Sequence, residues 1–148
     1  MANLNIMNLL NQATTKLYMT DLPIGEYQAK FTGIREIEGN RLTNTRPFSC
    51  LVFTINYKGQ EIECTDFITH QDIAEAEQIE NLSKKFTIIQ KAVMGSTNLS
   101  PAEMYQQLLN MSSVNVWITK RLDAQGIVRT NLRYSEPVLL TAENLLAD

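Results

Sequence analysis

Apolar and polar residues alternate along three parts of the chain, which is the pattern of half-buried β-strands. The first part is YQAKFTGIREI, where Gly33 interrupts the alternation as a bulge would. The second part, FSCLVFTINYKGQEIECTDFIT, divides at Lys58-Gly59 into two strands of a tight hairpin, because glycine tolerates the positive φ of such turns. The third part predicts two more strands, at about 113–121 and 126–135.

A helical pattern separates the third and fourth predicted strands, because apolar residues there recur every three or four positions. DIAEAEQIENLSKKFTIIQKAVMG predicts a helix that ends at Gly95. Gln71 or Asp72 is the expected cap at its start, and Ser83 is the expected cap of a second segment. SPAEMYQQLLN predicts a shorter helix that begins after Ser100.

The order of these elements predicts the fold class, mainly β with helices. A five-stranded sheet with a helical insertion between strands three and four, at about 71–111, is the element order of the OB-fold barrel. We expect this domain to span residues 21–138, although small mixed α+β folds share the same order. Residues 1–20 would form an N-terminal helix or arm, and residues 139–148 a C-terminal tail.

The register of the predicted hairpin bears on the two cysteines. A two-residue turn pairs Phe53 with Cys64 and places Cys50 on the opposite face of the sheet. A disulfide between cysteines that point to opposite faces is not expected. Free cysteines suit a reducing compartment such as the cytoplasm.

Composition limits the possible functions. The chain has 148 residues, of which 44% are hydrophobic and 20% charged, and these values predict one ordinary globular domain. Its net charge of −3 means that any nucleic-acid site must be a local patch. The N-terminus has no basic or long apolar run, so neither a signal peptide nor a membrane association is expected. With His70 as the single histidine and no phosphate-binding glycine motif, we expect no enzyme, metal or cofactor.

The run DLPIGEYQAKFTGIREIEGNR, the hairpin and a helix ending in IIQKAVMG resemble a family of bacteriophage single-stranded DNA-binding proteins with OB-folds. The resemblance covers residues 21–95, and its clearest matches are Leu22, Pro23, Gly25 and Tyr27. It implies sequence-independent binding of single-stranded DNA in phage replication or recombination, within the cytoplasm of a bacterial host. Replication or recombination proteins would be partners, although the end TAENLLAD lacks the strongly acidic tail by which many such proteins recruit them.

The last two predicted strands combine cations with an aromatic ring. Trp117 and Arg121 share one face of the fourth strand, and Arg129 and Arg133 share one face of the fifth. Residues 113–135 carry a net charge of +3, so the rest of the chain carries −6. Non-specific binding of single strands needs cations along the phosphates and aromatic faces for the bases. These four residues are the first candidates for DNA binding.

A second group of candidates lies near the hairpin. Phe48 and Phe67 could stack bases, while Lys30 and Arg46 could contact phosphates. Arg41 lies in the same loop as Arg46. Glu61 and Glu63 would share this face and repel phosphate, so Phe48 and Phe67 could equally pack against the N-terminal arm or another subunit.

Two alternatives remain open for the chain as a whole. Trp117 could instead anchor a subunit interface or the base of the helical insertion, with the arginines solvated. The protein could be a non-enzymatic protein-interaction module, such as a phage accessory or inhibitor protein. In either case the apolar residues of NLNIMNLL need a partner, so we expect a homo-oligomer, a dimer or larger.

Overall fold

The computed structural model describes residues 6–12, 15–96 and 98–137, so the predicted tail at 139–148 lies outside the described residues. The described residues form five strands, three α-helices and one 3-10 turn. In chain order they are α1 (Ile6–Gln12), the 3-10 turn (Met19–Asp21), β1 (Gly25–Ile37), β2 (Phe48–Tyr57), β3 (Gln60–His70), α2 (Glu75–Met94), α3 (Pro101–Asn110), β4 (Val114–Leu122) and β5 (Val128–Arg133).

All five strands form one antiparallel sheet in the order β3-β2-β1-β4-β5. β1 is central because its first residues pair with β4 and its later residues pair with β2. The register shifts between Phe31 and Gly33, which confirms the bulge predicted at the glycine. The prediction of a mainly β fold with helices between β3 and β4 is confirmed.

The sheet is open between β3 and β5, since no backbone ladder joins these two strands within the described residues. Side chains cross the gap instead. The Tyr134 hydroxyl, just after β5, donates to Asp66 of β3 at 2.5 Å. Lys85 of α2 donates to both oxygens of the same carboxylate, at 2.9 and 3.1 Å. This cluster connects the two outer strands and α2.

The β2–β3 hairpin has the predicted register. Phe53 lies opposite Cys64, and Cys50 lies opposite Phe67. Lys58 and Gly59 both have positive φ, 50° and 76°, as a two-residue hairpin turn of type I′ requires. The prediction of two unpaired cysteines is confirmed, since both thiols are free.

α2 agrees with the sequence more closely at its C-terminal end than at its beginning, whereas α3 agrees at its beginning. α2 ends at Gly95, which has a φ of 71° and forms the C-cap. The predicted caps at its start are wrong, because the N-cap is Ala74 without a side-chain bond. The predicted second segment at Ser83 is also wrong, since the helix is continuous. α3 begins with the predicted capping box of Ser100 and Glu103.

The core lies between the inner face of the sheet and the two long helices. Phe31 and Phe53 are fully buried with ring centroids 5.2 Å apart, and Phe86 of α2 covers them from the helical side. Each such side chain contributes about 1.5–3 kcal/mol through its removal from water. Trp117 is not in this cluster. The core therefore fixes the inner face of the sheet and leaves the outer face of β4 and β5 to other uses.

Candidate nucleic-acid interface

β4 and β5 bring the first group of predicted site residues together on the outer face of the sheet. Their register places Trp117 opposite Arg133 and Arg121 opposite Arg129. Side chains directly opposite each other on one face of an antiparallel pair lie within contact range. We call these four residues the β4–β5 surface. The register therefore places all four side chains on one face of the sheet.

Trp117 is half-buried rather than sealed in the interior. Glu26 of β1 lies opposite it on the other side of β4. The indole also borders a concavity whose far wall includes Ala92 and Val93 of α2. The ring thus lies at the margin of the helical insertion, as one alternative proposed, while part of it remains open to solvent.

Two of the three arginines of this surface are available for a ligand. Arg121 and Arg133 are exposed, and neither has a hydrogen bond or an ion pair with any described residue. Arg129 is different, because its Nε donates to Asp123 Oδ2 at 2.8 Å. The backbone N–H of Ile127, followed by Arg129, holds the pKa of Asp123 below its usual value. This carboxylate therefore remains ionised and neutralises one arginine.

Lys120 contributes nothing to this face, although it adds to the charge counted from the sequence. Its Nζ donates to the Thr20 carbonyl at 2.7 Å and to Thr130 Oγ1 at 3.1 Å. Burial lowers the pKa of Lys120. The β4–β5 surface has three arginines, with Asp123 and Glu26 as neighbouring carboxylates.

The second group lies around the β2–β3 hairpin, with Phe67 exposed at 46%. The rings of Phe48 and Phe67 are 5.9 Å apart, and His70 follows at 4.9 Å from Phe67. Arg35 of β1 forms an ion pair with Glu63 of β3. We call these five residues the β2–β3 surface.

The cations around the β2–β3 surface are already paired. The hydrogen bond from Arg35 lowers the pKa of Glu63. Arg46 and Asp72 form a bidentate ion pair, in which Arg46 Nε donates to Asp72 Oδ2 at 2.9 Å and Nη2 donates to Oδ1 at 2.7 Å. That bond lowers the pKa of Asp72. The structure therefore does not bring Arg46 and the two phenylalanines together as an unpaired cationic site.

Lys30 forms hydrogen bonds at the C-terminal end of α3. Its Nζ donates to the carbonyls of Leu109 and Met111, at 2.9 and 2.7 Å. A cation at a helix C-terminus satisfies carbonyls that have no partner within the helix. Lys30 thus ties α3 to β1, apart from the β4–β5 surface.

Three polar residues beside Trp117 were not predicted from the sequence. Ser113 Oγ donates to Gln28 Oε1 at 2.7 Å, and Gln28 Nε2 donates to Asn115 Oδ1 at 2.5 Å. Asn115 lies two residues before Trp117, and alternation along a strand places both side chains on one face. This spacing was the feature of the sequence that could have identified Asn115. The contact with Gln28 depends on the pairing of β1 with β4, which the sequence does not give.

Two features are absent from the part of the chain that the structure describes. No cluster of three or more histidine, cysteine, aspartate or glutamate side chains there could hold a metal ion. None of the helices described is both long and apolar enough to cross a membrane.

Comparison with known protein families, curated proteins and solved structures finds no match to this chain.

Proposed function

We propose that this chain is an OB-fold protein that binds single-stranded DNA without strict sequence preference, in phage DNA replication or recombination. The strand order supports the OB-fold part, because a partly open five-stranded Greek-key barrel with a helix after the third strand would have this order. The observation that carries the function is the β4–β5 surface, where Trp117 lies opposite Arg133, which has no ion-pair partner among the described residues.

The β4–β5 surface offers both kinds of contact that a single strand needs. Arg121 and Arg133 bind phosphates, and their charge-assisted hydrogen bonds contribute about 1.5–3 kcal/mol each. The indole of Trp117 stacks one base, which contributes about 1–3 kcal/mol. Lys30 and Arg46 are not part of this mechanism, since both are engaged within the protein. Phe48 and Phe67 remain candidates for a second stacking position.

Fluorescence anisotropy with a labelled oligothymidine and a duplex of equal length tests this function. We expect binding of the single strand and much weaker binding of the duplex, because a paired base cannot stack on the indole. Raising NaCl from about 50 to about 300 mM should weaken binding roughly tenfold to fortyfold if two or three phosphates are contacted. Affinity that is equal for both DNAs, or insensitive to salt, would contradict the proposal.

A second candidate function, a protein-interaction module, is favoured by apolar surface elsewhere. α1 exposes Ile6 at 63% and Leu10 at 58%. A groove of about 680 Å³ between α2, α3 and β1 is lined mainly by apolar side chains such as Ile34, Ile79 and Phe86. Exposed apolar patches commonly mark contacts with other proteins.

The mass of the protein in solution tests this second candidate, together with the expectation of a homo-oligomer. If α1 mediates assembly, replacing Ile6 and Leu10 with serine should convert an oligomer into a monomer. A protein-interaction module would show no binding to oligothymidine in the same preparations. Oligothymidine binding that persists in the monomeric variant would instead assign assembly to α1 and DNA binding to a separate surface.

A further inference from the structure

A concavity of about 270 Å³ opens beside Trp117, where the β4–β5 ladder has ended. The last pair of that ladder is Trp117 with Arg133. The start of β4 therefore pairs with β1 alone among the described residues. The walls come from β4, the end of α2 and the segment before β4, through Val93, Met111, Ser113, Asn115, Trp117 and Tyr134.

The size and lining of this concavity suit one flat, partly polar group. Its volume lies just below the range of about 300–1,000 Å³ that is typical of small-molecule sites. The indole of Trp117 offers a π-face, while Val93 and Met111 offer apolar contacts. Ser113 and Asn115 supply the polar groups on the outer side. A single nucleobase has these dimensions and this mixture of faces and polar edges.

The hydrogen bonds around Asn115 determine what it can offer to a ligand. The Ser113 hydroxyl donates its one proton to Gln28 Oε1, so Gln28 presents its amide nitrogen to the next residue. That nitrogen donates to Asn115 Oδ1. The Asn115 Nδ2 group has no partner among the described residues. Asn115, which lines the concavity, therefore has N–H donors that no described residue uses, while its oxygen already accepts one hydrogen bond.

We propose that this concavity binds one unpaired pyrimidine base of a polynucleotide, stacked against Trp117 and hydrogen-bonded through a ring carbonyl to Asn115 Nδ2. The inference rests on the proposed function, because Arg133, directly opposite Trp117, holds the adjoining phosphate. Thymine and uracil carry two carbonyl oxygens and cytosine carries one. Each can therefore accept the N–H of Asn115 without a rearrangement of Gln28 or Ser113.

Adenine fits this site less well for two reasons. Asparagine recognises adenine by using its donor and its acceptor together. Here Gln28 already engages one of the two lone pairs of the Asn115 oxygen. Adenine also lacks a carbonyl oxygen, and its double ring needs more of the limited volume. A preference at one base per site is compatible with binding to mixed sequences, because stacking and phosphate contacts tolerate any base.

Binding of oligothymidine and oligoadenosine of equal length to the full chain tests the inference. The single tryptophan of the chain, Trp117, reports stacking directly through quenching of its fluorescence. We expect oligothymidine to bind about fivefold more tightly than oligoadenosine, the effect of roughly one hydrogen bond. Asn115→Ala should reduce this ratio to near one, while Asn131→Ala on the same outer face should leave it unchanged.

The outcomes separate the inference from the function. Salt-dependent binding of both oligonucleotides with no base preference would overturn the pyrimidine site and leave the proposed function standing. Absence of binding to either oligonucleotide would overturn both. Free thymidine at the oligonucleotide's concentration should not displace it, because a nucleoside lacks the phosphate contacts. Displacement by free thymidine would overturn the assignment to a polynucleotide.

Gln28→Glu tests the hydrogen-bond polarity itself. A carboxylate accepts from both neighbours, so Asn115 must turn its Nδ2 towards residue 28 and present its oxygen to the concavity. The preference should then shift from oligothymidine towards oligocytidine or oligoadenosine, whose bases carry amino donors. Gln106→Glu, at an exposed position of α3, controls for the added negative charge and should keep the preference for oligothymidine. An unchanged preference in Gln28→Glu would overturn the proposed role of Asn115.

Discussion

The two outer surfaces of the sheet contain similar residues in different electrostatic states. The β4–β5 surface combines one indole with arginines, and the β2–β3 surface combines two phenylalanines with an arginine. On the first, Arg121 and Arg133 have no carboxylate partner among the described residues. On the second, Arg35 is paired with Glu63, and nearby Arg46 is paired with Asp72.

This contrast indicates that the number of cations on a face does not by itself predict whether that face binds phosphate. An arginine already held by a carboxylate must give up that bond before it can bind a phosphate, so its net contribution is small. An unpaired arginine exchanges only water and counterions. The pairing pattern therefore distinguishes two surfaces that both combine aromatic rings with arginines.

Replacing the unpaired arginines should have the largest effect. We expect Arg121→Gln with Arg133→Gln to weaken oligothymidine binding about 100-fold, because two charge-assisted phosphate contacts of about 1.5 kcal/mol each are lost. The slope of log affinity against log salt should become shallower by about 1.4. Anisotropy titrations over a series of NaCl concentrations measure both.

The matched control is Arg35→Gln with Arg46→Gln, which removes the same charge from the neighbourhood of the β2–β3 surface. It should change affinity by less than about threefold, since those guanidinium groups are already paired. Equal losses in the two double variants would remove the distinction between the surfaces.

The aromatic residues give the next largest contrast. Trp117→Ala should weaken binding about thirtyfold, the effect of one lost stack of about 2 kcal/mol. Phe67→Ala should have little effect if the β2–β3 surface does not bind bases. The affinities of both variants are measured by anisotropy of the labelled DNA, because Trp117→Ala leaves no tryptophan whose fluorescence could report binding. A larger loss in Phe67→Ala would move the interface to the hairpin.

The bond across the open side of the sheet affects stability rather than binding. Tyr134→Phe leaves Asp66 with Lys85 alone, and we expect a loss of about 1–2 kcal/mol in the free energy of unfolding by urea. An unaltered unfolding free energy would show that the hydroxyl does not hold β5 to β3.

The same residue predicts a pH dependence. Burial, followed by the Asp66 charge, raises the pKa of Tyr134 well above its usual 10.0. The native state keeps this proton where the unfolded chain loses it, so stability falls as pH rises above about 10. Tyr134→Phe should lose stability less steeply there, as urea unfolding at a series of alkaline pH values would show.

Replacing Asp123 should strengthen DNA binding, and the effect should be smaller than those of the preceding variants. Asp123→Asn keeps an oxygen for the N–H groups of Gln125 and Ile127 but removes the charge that neutralises Arg129. We expect oligothymidine to bind about threefold more tightly and the salt slope to steepen by about 0.7. Weaker binding would mean that the turn, rather than the charge of Arg129, controls the site.

Periodicity predicted which residues share a face, and that part of the site needed no structure. Trp117, Arg121, Arg129 and Arg133 follow from alternation along two strands, and the Phe53–Cys64 register follows from a two-residue turn. These features depend on positions close in sequence, where local geometry leaves few choices.

The features that the sequence did not reveal all depend on distant partners. Gln28 reaches Asn115 across 87 positions, and Lys30 reaches Leu109 across 79. Asp72 does not cap α2, which has Ala74 as its N-cap, and its carboxylate instead binds Arg46, 26 positions away. Pairing between side chains that are distant in sequence determines which charged groups can bind a ligand. Local sequence patterns do not reveal this pairing.

The position of β4 in the sheet has a consequence for the order of folding. β1, β2 and β3 are joined by short connections, whereas Gly25 of β1 must find Ile118 of β4 after the hairpin and both helices have intervened. Contacts between such remote segments form slowly because a long loop must close first. We therefore expect the hairpin half to assemble early and the arginine-bearing half to dock late. A chain still emerging from the ribosome would hold the β1–β3 part of the core before β4 and β5 were in place.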